Sequence, residues 1–113
     1  MPERVLLLTA DRDLAESINE LLDQEGLVVA AAIGGGQVQA AVIDLDAWPE
    51  GWDIRLLRRR LDRVPSLLLS ASPFAGPYIA TTLARAYFMS KPFAPRELLI
   101  LLRRCIDEGP LGC

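Results

Sequence analysis

Three side chains carry most of the chemistry this sequence offers. Asp44, Ser70 and Lys91 each stand at or just after the end of a short apolar run: Ala40-Ala41-Val42-Ile43, Pro65 to Leu69, and Ala86-Tyr87-Phe88-Met89. A carboxylate, a hydroxyl and an ammonium that converge on one point can bind and transfer a phosphoryl group. The carboxylate would be the nucleophile, and the other two would stabilise the transferring oxygens. Polar residues are common at strand ends, so each alone says little; three at corresponding ends of successive runs say more. Lys91 is also the sole lysine, the other basic residues all being arginine. An ammonium on a slim stem reaches into a narrow pocket that a planar guanidinium does not fit, although one lysine can equally survive an arginine-rich bias by chance.

For these ends to meet, the runs must be strands of one parallel sheet. Val5 to Leu8 is continuously aliphatic, as in a strand buried on both faces. Leu14, Ile18, Leu21 and Leu22 follow at helical spacing, with Asp13 and Glu16 read as a capping box and Gly26 as the stop. Leu27 to Ala32 reads as a second strand, the run ending at Asp44 as a third, and Ile54, Leu57, Leu61 and Val64 as a second helix. A fourth strand covers Pro65 to Leu69. A short helix around Tyr78, Ile79 and Leu83, a fifth strand over Ala86 to Met89 and a last helix from Glu97 through Ile106 complete the pattern. Strands separated by helices imply a parallel sheet covered on both faces.

One link departs from that scheme. Only seven residues, Ile33 to Gln39, join the second and third strands, whereas a parallel crossover normally needs a dozen or more and carries a helix. A return along a strand and a sidestep of two strand spacings covers roughly 20 Å, and seven extended residues reach about 24 Å. A helix-free crossing is therefore feasible, with Gly34, Gly35 and Gly36 suited to a chain lying flat on the sheet. A β-hairpin, which would reverse the second strand, is the second choice.

Composition bounds the function. The 113 residues make one domain with a real core, and 51% hydrophobic residues make it a folding sequence. A net charge of −3 argues against nucleic-acid binding, and Arg58-Arg59-Arg60 reads as a solvated helix face. Two cysteines are too few for a disulfide framework, and no apolar stretch is long enough to span a membrane, so a cytoplasmic location is expected. With no histidine there is no imidazole-based triad or histidine metal site.

The residues Leu67-Leu68-Leu69-Ser70-Ala71 and Phe88-Met89-Ser90-Lys91-Pro92-Phe93, with the helix from Pro95 to Leu102 behind them, resemble a receiver domain of bacterial two-component response regulators. The resemblance runs from about Arg4 to Asp107. It implies the flavodoxin-like fold with strand order 2-1-3-4-5, here with the helix between strands 2 and 3 missing. Residues 1–107 would be the receiver-like domain, and 108–113 a tail that reads as a linker or a frayed end. It also implies that Asp44 is the position that accepts phosphate from a sensor histidine kinase, Ser70 the hydroxyl that turns toward it and Lys91 the accompanying ammonium. Phe88 matches the aromatic switch residue, and the Lys91-Pro92 bond is expected to be cis.

Departures from the family pattern decide which version of that function to expect. Receivers carry an acidic pair at the end of the first strand that holds Mg²⁺; here those positions are Thr9 and Ala10. Asp11, Asp44 and Asp46 remain as weak metal candidates, with N-capping the preferred role for Asp11 and Asp13. The loop from Asp44 to Pro49 is one residue longer than the family's usual pattern. Mg²⁺ binding is accordingly expected to be weak or absent. The expected function is an atypical receiver, not an enzyme, that acts mainly as a protein-interaction module in phosphorelay signalling. A functional Asp44 acceptor with a rebuilt metal site is the alternative, and a small enzyme on the same fold a more remote one. A homodimer is expected, through a thinly covered sheet face beside the first and third strands or through the apolar run Leu98 to Leu102.

Overall fold

The computed structural model describes residues 3–30, 38–61, 64–72 and 86–108. The short helix expected around Tyr78 to Leu83, the glycine segment Gly34-Gly35-Gly36 and the tail beyond Glu108 lie outside the described residues. Five strands form one sheet: β1 (Arg4–Leu8), β2 (Val28–Ala30), β3 (Ala40–Asp44), β4 (Ser66–Ser70) and β5 (Ala86–Ser90). Their order is β2-β1-β3-β4-β5 and every pairing is parallel. Since β2 and β3 both run parallel to β1, the hairpin alternative is excluded.

The continuous apolar runs form strands because both faces of the sheet are covered. Every residue of β3 and of β4 is buried. Side chains alternate between two clusters. One gathers Val5, Val42, Leu67, Leu69 and Met89 with Ile18 and Leu22 of α1 (Arg12–Gln24) and Leu98, Leu102 and Cys105 of α3 (Pro95–Glu108). The other gathers Leu6, Leu8, Ala41, Ile43 and Leu68 with Leu57 of α2 (Ile54–Leu61), and Trp48, Trp52 and Phe88 pack against it. No described helix is long and apolar enough to cross a membrane.

Local chemistry sets the helix ends. Asp11, not Asp13, is the N-cap of α1, its Oδ1 accepting from Leu14 N at 3.2 Å; Asp13 lies in the first turn, where a carboxylate still favours the helix dipole. The capping-box reading was thus two residues late. Gly26, at φ 74°, closes the helix. Gly26 N donates to Asp23 O and Leu27 N to Leu22 O, a Schellman ending that buries Leu22 against Leu27. The second helix ends earlier than its periodicity suggests, since Val64 stands outside α2 while still packing on the second cluster.

Of two expectations about exposed apolar surface, one needs correction and the other narrows to a single residue. The sheet face beside β1 and β3 is not thinly covered: Leu6, Leu8, Ala41 and Ile43 are all buried. In the last helix, Leu98 and Leu102 are fully buried and Leu99 and Leu101 partly so, leaving Ile100 at 58% exposure. Truncating the two faces of α3 should therefore give opposite results. Leu102→Ala is expected to lower stability by about 2–5 kcal/mol, and Ile100→Ala by no more than ~0.5 kcal/mol. Urea denaturation of both variants measures this difference, and equal losses would mean that the helix faces are misassigned.

Candidate functional site

Parallel strands in register bring their carboxyl ends to one edge. Asp44 pairs with Leu69 across β3–β4, and Ser70 with Ser90 across β4–β5. The edge therefore collects Thr9 after β1, Asp44 at the end of β3, Ser70 at the end of β4 and Lys91 just after β5. The Lys91-Pro92 bond is cis, as the resemblance implied, and Lys91 N donates to Ser70 O.

Asp44 is 1% exposed, so its charge must be met within the protein. Lys91 Nζ lies 2.7 Å from Oδ1. Asp46 N donates to the same oxygen at 3.0 Å, and Thr9 Oγ1 donates to Oδ2 at 2.7 Å. Thr9 Oγ1 also accepts from Asp11 N at 3.0 Å. One hydroxyl therefore ties the start of α1 to the buried carboxylate.

A second carboxylate completes the cluster. Asp46 Oδ1 accepts from Ser70 Oγ at 2.7 Å, and Oδ2 from Ala71 N at 2.8 Å. Lys91 Nζ is 3.3 Å from Asp46 Oδ2. The expected grouping of Asp44, Ser70 and Lys91 at one edge is thus present, but the Ser70 hydroxyl is engaged by Asp46. Ser70 Oγ in turn accepts from Ser72 N. Asp44, Asp46 and Lys91 together carry a net charge of −1.

The weak metal candidates are occupied in other ways. Asp11 caps α1, Asp44 is held by three donors, and Asp46 faces Ser70, Ala71 and Lys91. No group of three or more His, Cys, Asp or Glu side chains arranged to hold a metal occurs among the described residues. Phe88 lies on the sheet face away from Tyr87 and Met89, partly buried against the α2-side cluster. Sequence reasoning missed Thr9 as a partner of Asp44, having read it only as a lost acidic position. A short hydroxyl side chain just past a strand end at the same sheet edge was the available signal.

Protonation follows from this wiring. Burial disfavours an ionised Asp46, but hydrogen bonds from Ser70, Ala71 N and Lys91 outweigh it and hold the pKa below its ordinary value. Burial likewise disfavours a charged Lys91, yet Asp44 and Asp46 outweigh it and raise its pKa. The stabilisation from Asp46 is present above the ordinary aspartate pKa and is lost as pH falls through the lowered folded value; that from Lys91 is present below the ordinary lysine pKa and is lost as pH rises through the raised one. Chemical denaturation across pH should therefore show wild type more stable than Asp46→Asn near neutrality, with the gap closing in acid below about pH 4. A pH-independent gap would place the Asp46 carboxylate elsewhere.

No family model matches the chain. The response regulator MprA from three Mycobacterium strains (KMS, JLS and MCS) is 31% identical over 128 aligned residues, covering 97% of this chain. The chain spans about half the length of these curated relatives, 55%. The alignment is longer than the 113-residue chain, so the relatives carry residues with no counterpart here. Among solved structures, a CheY-like response regulator receiver domain protein from Methanospirillum hungatei superposes with a TM-score of 0.80 at 20% identity, covering 96% of each chain. The receiver domain of a sensor histidine kinase from Pseudomonas aeruginosa, solved with a magnesium ion in its active-site cleft, gives 0.75 at 22% identity, covering 95% of this chain and 99% of its own. Strand order and parallel pairing agree with these structures: the chain has the CheY-like, flavodoxin-like fold, and its sequence is similar to about half the length of a response regulator.

Proposed function

We propose that this domain serves two-component signalling mainly as a protein-interaction module whose phosphorylation site is degenerate. The observation that carries this reading is the state of Asp44. A phospho-acceptor needs a carboxylate oxygen free to attack phosphorus, and charge stabilisation ready for the incoming oxygens. Here Asp44 is buried and both its oxygens accept hydrogen bonds, from Lys91, Thr9 and Asp46 N. Thr9 and Ala10 stand where receivers carry the acidic pair. The residues present do not fit Mg²⁺, which requires near-octahedral oxygen ligands with carboxylate charge among them. We accordingly assign weak or no Mg²⁺ binding, and a cytoplasmic signalling protein or a sensor histidine kinase as partner. Nucleic-acid binding by this domain, and any catalytic turnover, lie outside the proposal.

A second reading, a working Asp44 acceptor, is favoured by one observation: Lys91 Nζ sits 2.7 Å from Asp44 Oδ1, the pairing an acceptor carboxylate would have. Acetyl phosphate with Mg²⁺ separates the two. We expect the intact mass of wild type to stay unchanged. A gain of one phosphoryl group that disappears in Asp44→Asn would establish the second reading instead.

Self-association belongs to the same proposal, through the face of α3 that carries Ile100. Sedimentation at micromolar concentration should give a dimer that Ile100→Glu dissociates. A monomer mass for wild type would remove the dimer and leave the rest of the proposal intact.

A further inference from the structure

Asp46 is held in an unusual way for a loop carboxylate. Its side chain is 35% exposed, so water was available to it. It turns inward nonetheless, onto three donors from two strand ends: Ser70 Oγ at 2.7 Å, Ala71 N at 2.8 Å and Lys91 Nζ at 3.3 Å. A hydroxyl, a backbone amide and an ammonium around one pair of oxygens make an oxyanion-binding set. The set lies directly beside Asp44, because Lys91 Nζ touches both carboxylates and Asp46 N donates to Asp44 Oδ1.

We propose that Asp46 is the built-in occupant of an oxyanion subsite beside Asp44, its carboxylate taking the donors that a tetrahedral oxyanion such as phosphate would otherwise take. This rests on reading Asp44, Ser70 and Lys91 as a receiver's phosphoryl site, and adds which residue keeps that site closed. Charge and tethering act together. With Asp46 ionised, the three charged side chains sum to −1 and repel an anion; without it they sum to zero. A group tethered two residues from Asp44 also competes at an effective concentration of millimolar order or above. The same contact supplies Ser70 and Ala71 with an acceptor without any external ligand. The turn at Ser70 and Ala71 thus has its donors engaged without an external anion.

The test uses the full chain with inorganic phosphate as the probe and no divalent cation. The Ala71 amide resonance is followed in wild type, Asp46→Ala and Asp46→Asn. Asp46→Ala empties the subsite, and Asp46→Asn keeps the loop's shape while removing the charge, so that one variant remains informative if the other folds poorly. Asp46→Ala is expected to bind phosphate at least roughly tenfold more tightly than wild type, as loss of a tethered competitor implies, and Asp46→Asn more tightly by a smaller factor, since its amide oxygen still competes and only the charge is gone. Adding Ser70→Ala to either variant should remove the gain. Equal phosphate response in wild type and both variants would overturn the proposal, as would a gain that survives Ser70→Ala. Mg²⁺ binding in wild type that is lost in Asp46→Asn would also overturn it, by making Asp46 a metal ligand. The wider functional reading fails on a different readout, acetyl-phosphate modification of wild-type Asp44, so the two failures are distinguishable.

Discussion

A buried negative charge at the end of the central strand governs the rest of this structure. Removing an ionised carboxylate from water costs several kcal/mol or more unless a counter-charge and hydrogen bonds meet it. Asp44 is met by Lys91, which comes from two strands away, across β4. That reach, about two strand spacings of ~4.8 Å, works only if β3, β4 and β5 are parallel and end level. Any slip in register would leave Asp44 buried without its ammonium, so the strand-end charges reinforce the register that the apolar runs set.

The shorter ties around the same carboxylate close the site on itself. Thr9 joins the β1–α1 turn to Asp44, and Ala10 N donates to Ala47 O, joining that turn to the loop after β3. Asp46 joins that loop to the end of β4. A domain that switches needs two arrangements whose balance a ligand can tip, and a ligand tips it only by its differential affinity for the two. Here the donors that would reward a ligand-bound arrangement are already satisfied from within the chain. The free energy left for an incoming group is correspondingly small. The proposed interaction role requires no more than this.

Much of this could be seen in the sequence because the physics that sets it is local or periodic. Strands buried on both faces appear as unbroken aliphatic runs, and their polar ends mark one edge of the sheet. Asp44, Ser70 and Lys91 are therefore legible as a group, and the resemblance around Ser70 and Lys91 implies the strand order. What escaped depends on a single residue's geometry. Asp11 and Asp13 both suit an N-cap by residue type, and only the backbone path after Thr9 places the cap of α1 at Asp11. The direction of the Asp46 side chain is set by donors 24 and 45 positions away, which no local pattern encodes. The coverage of the β1–β3 face was misjudged because a short link was read as a gap. Leu6, Leu8, Ala41 and Ile43 are buried there, and Leu57 of α2 and Trp48 and Trp52 of the loop before it belong to the same cluster.

The solitary lysine can now be understood from its contacts. One nitrogen, Nζ, stands 2.7 Å from one carboxylate and 3.3 Å from another, belonging to residues two apart in the chain. A guanidinium spreads its charge over a plane and pairs best with one carboxylate through two parallel bonds. It would have to choose between Asp44 and Asp46, and the bulk of its fork would have to enter a space in which Lys91 itself is only 21% exposed. An ammonium is a point charge with three rotatable donors, able to bridge two acceptors that are not coplanar. The chain uses arginine on its solvated helix faces, as at Arg58, Arg59 and Arg60, where breadth costs nothing. It keeps lysine at the one described position where two carboxylates must share a single cation.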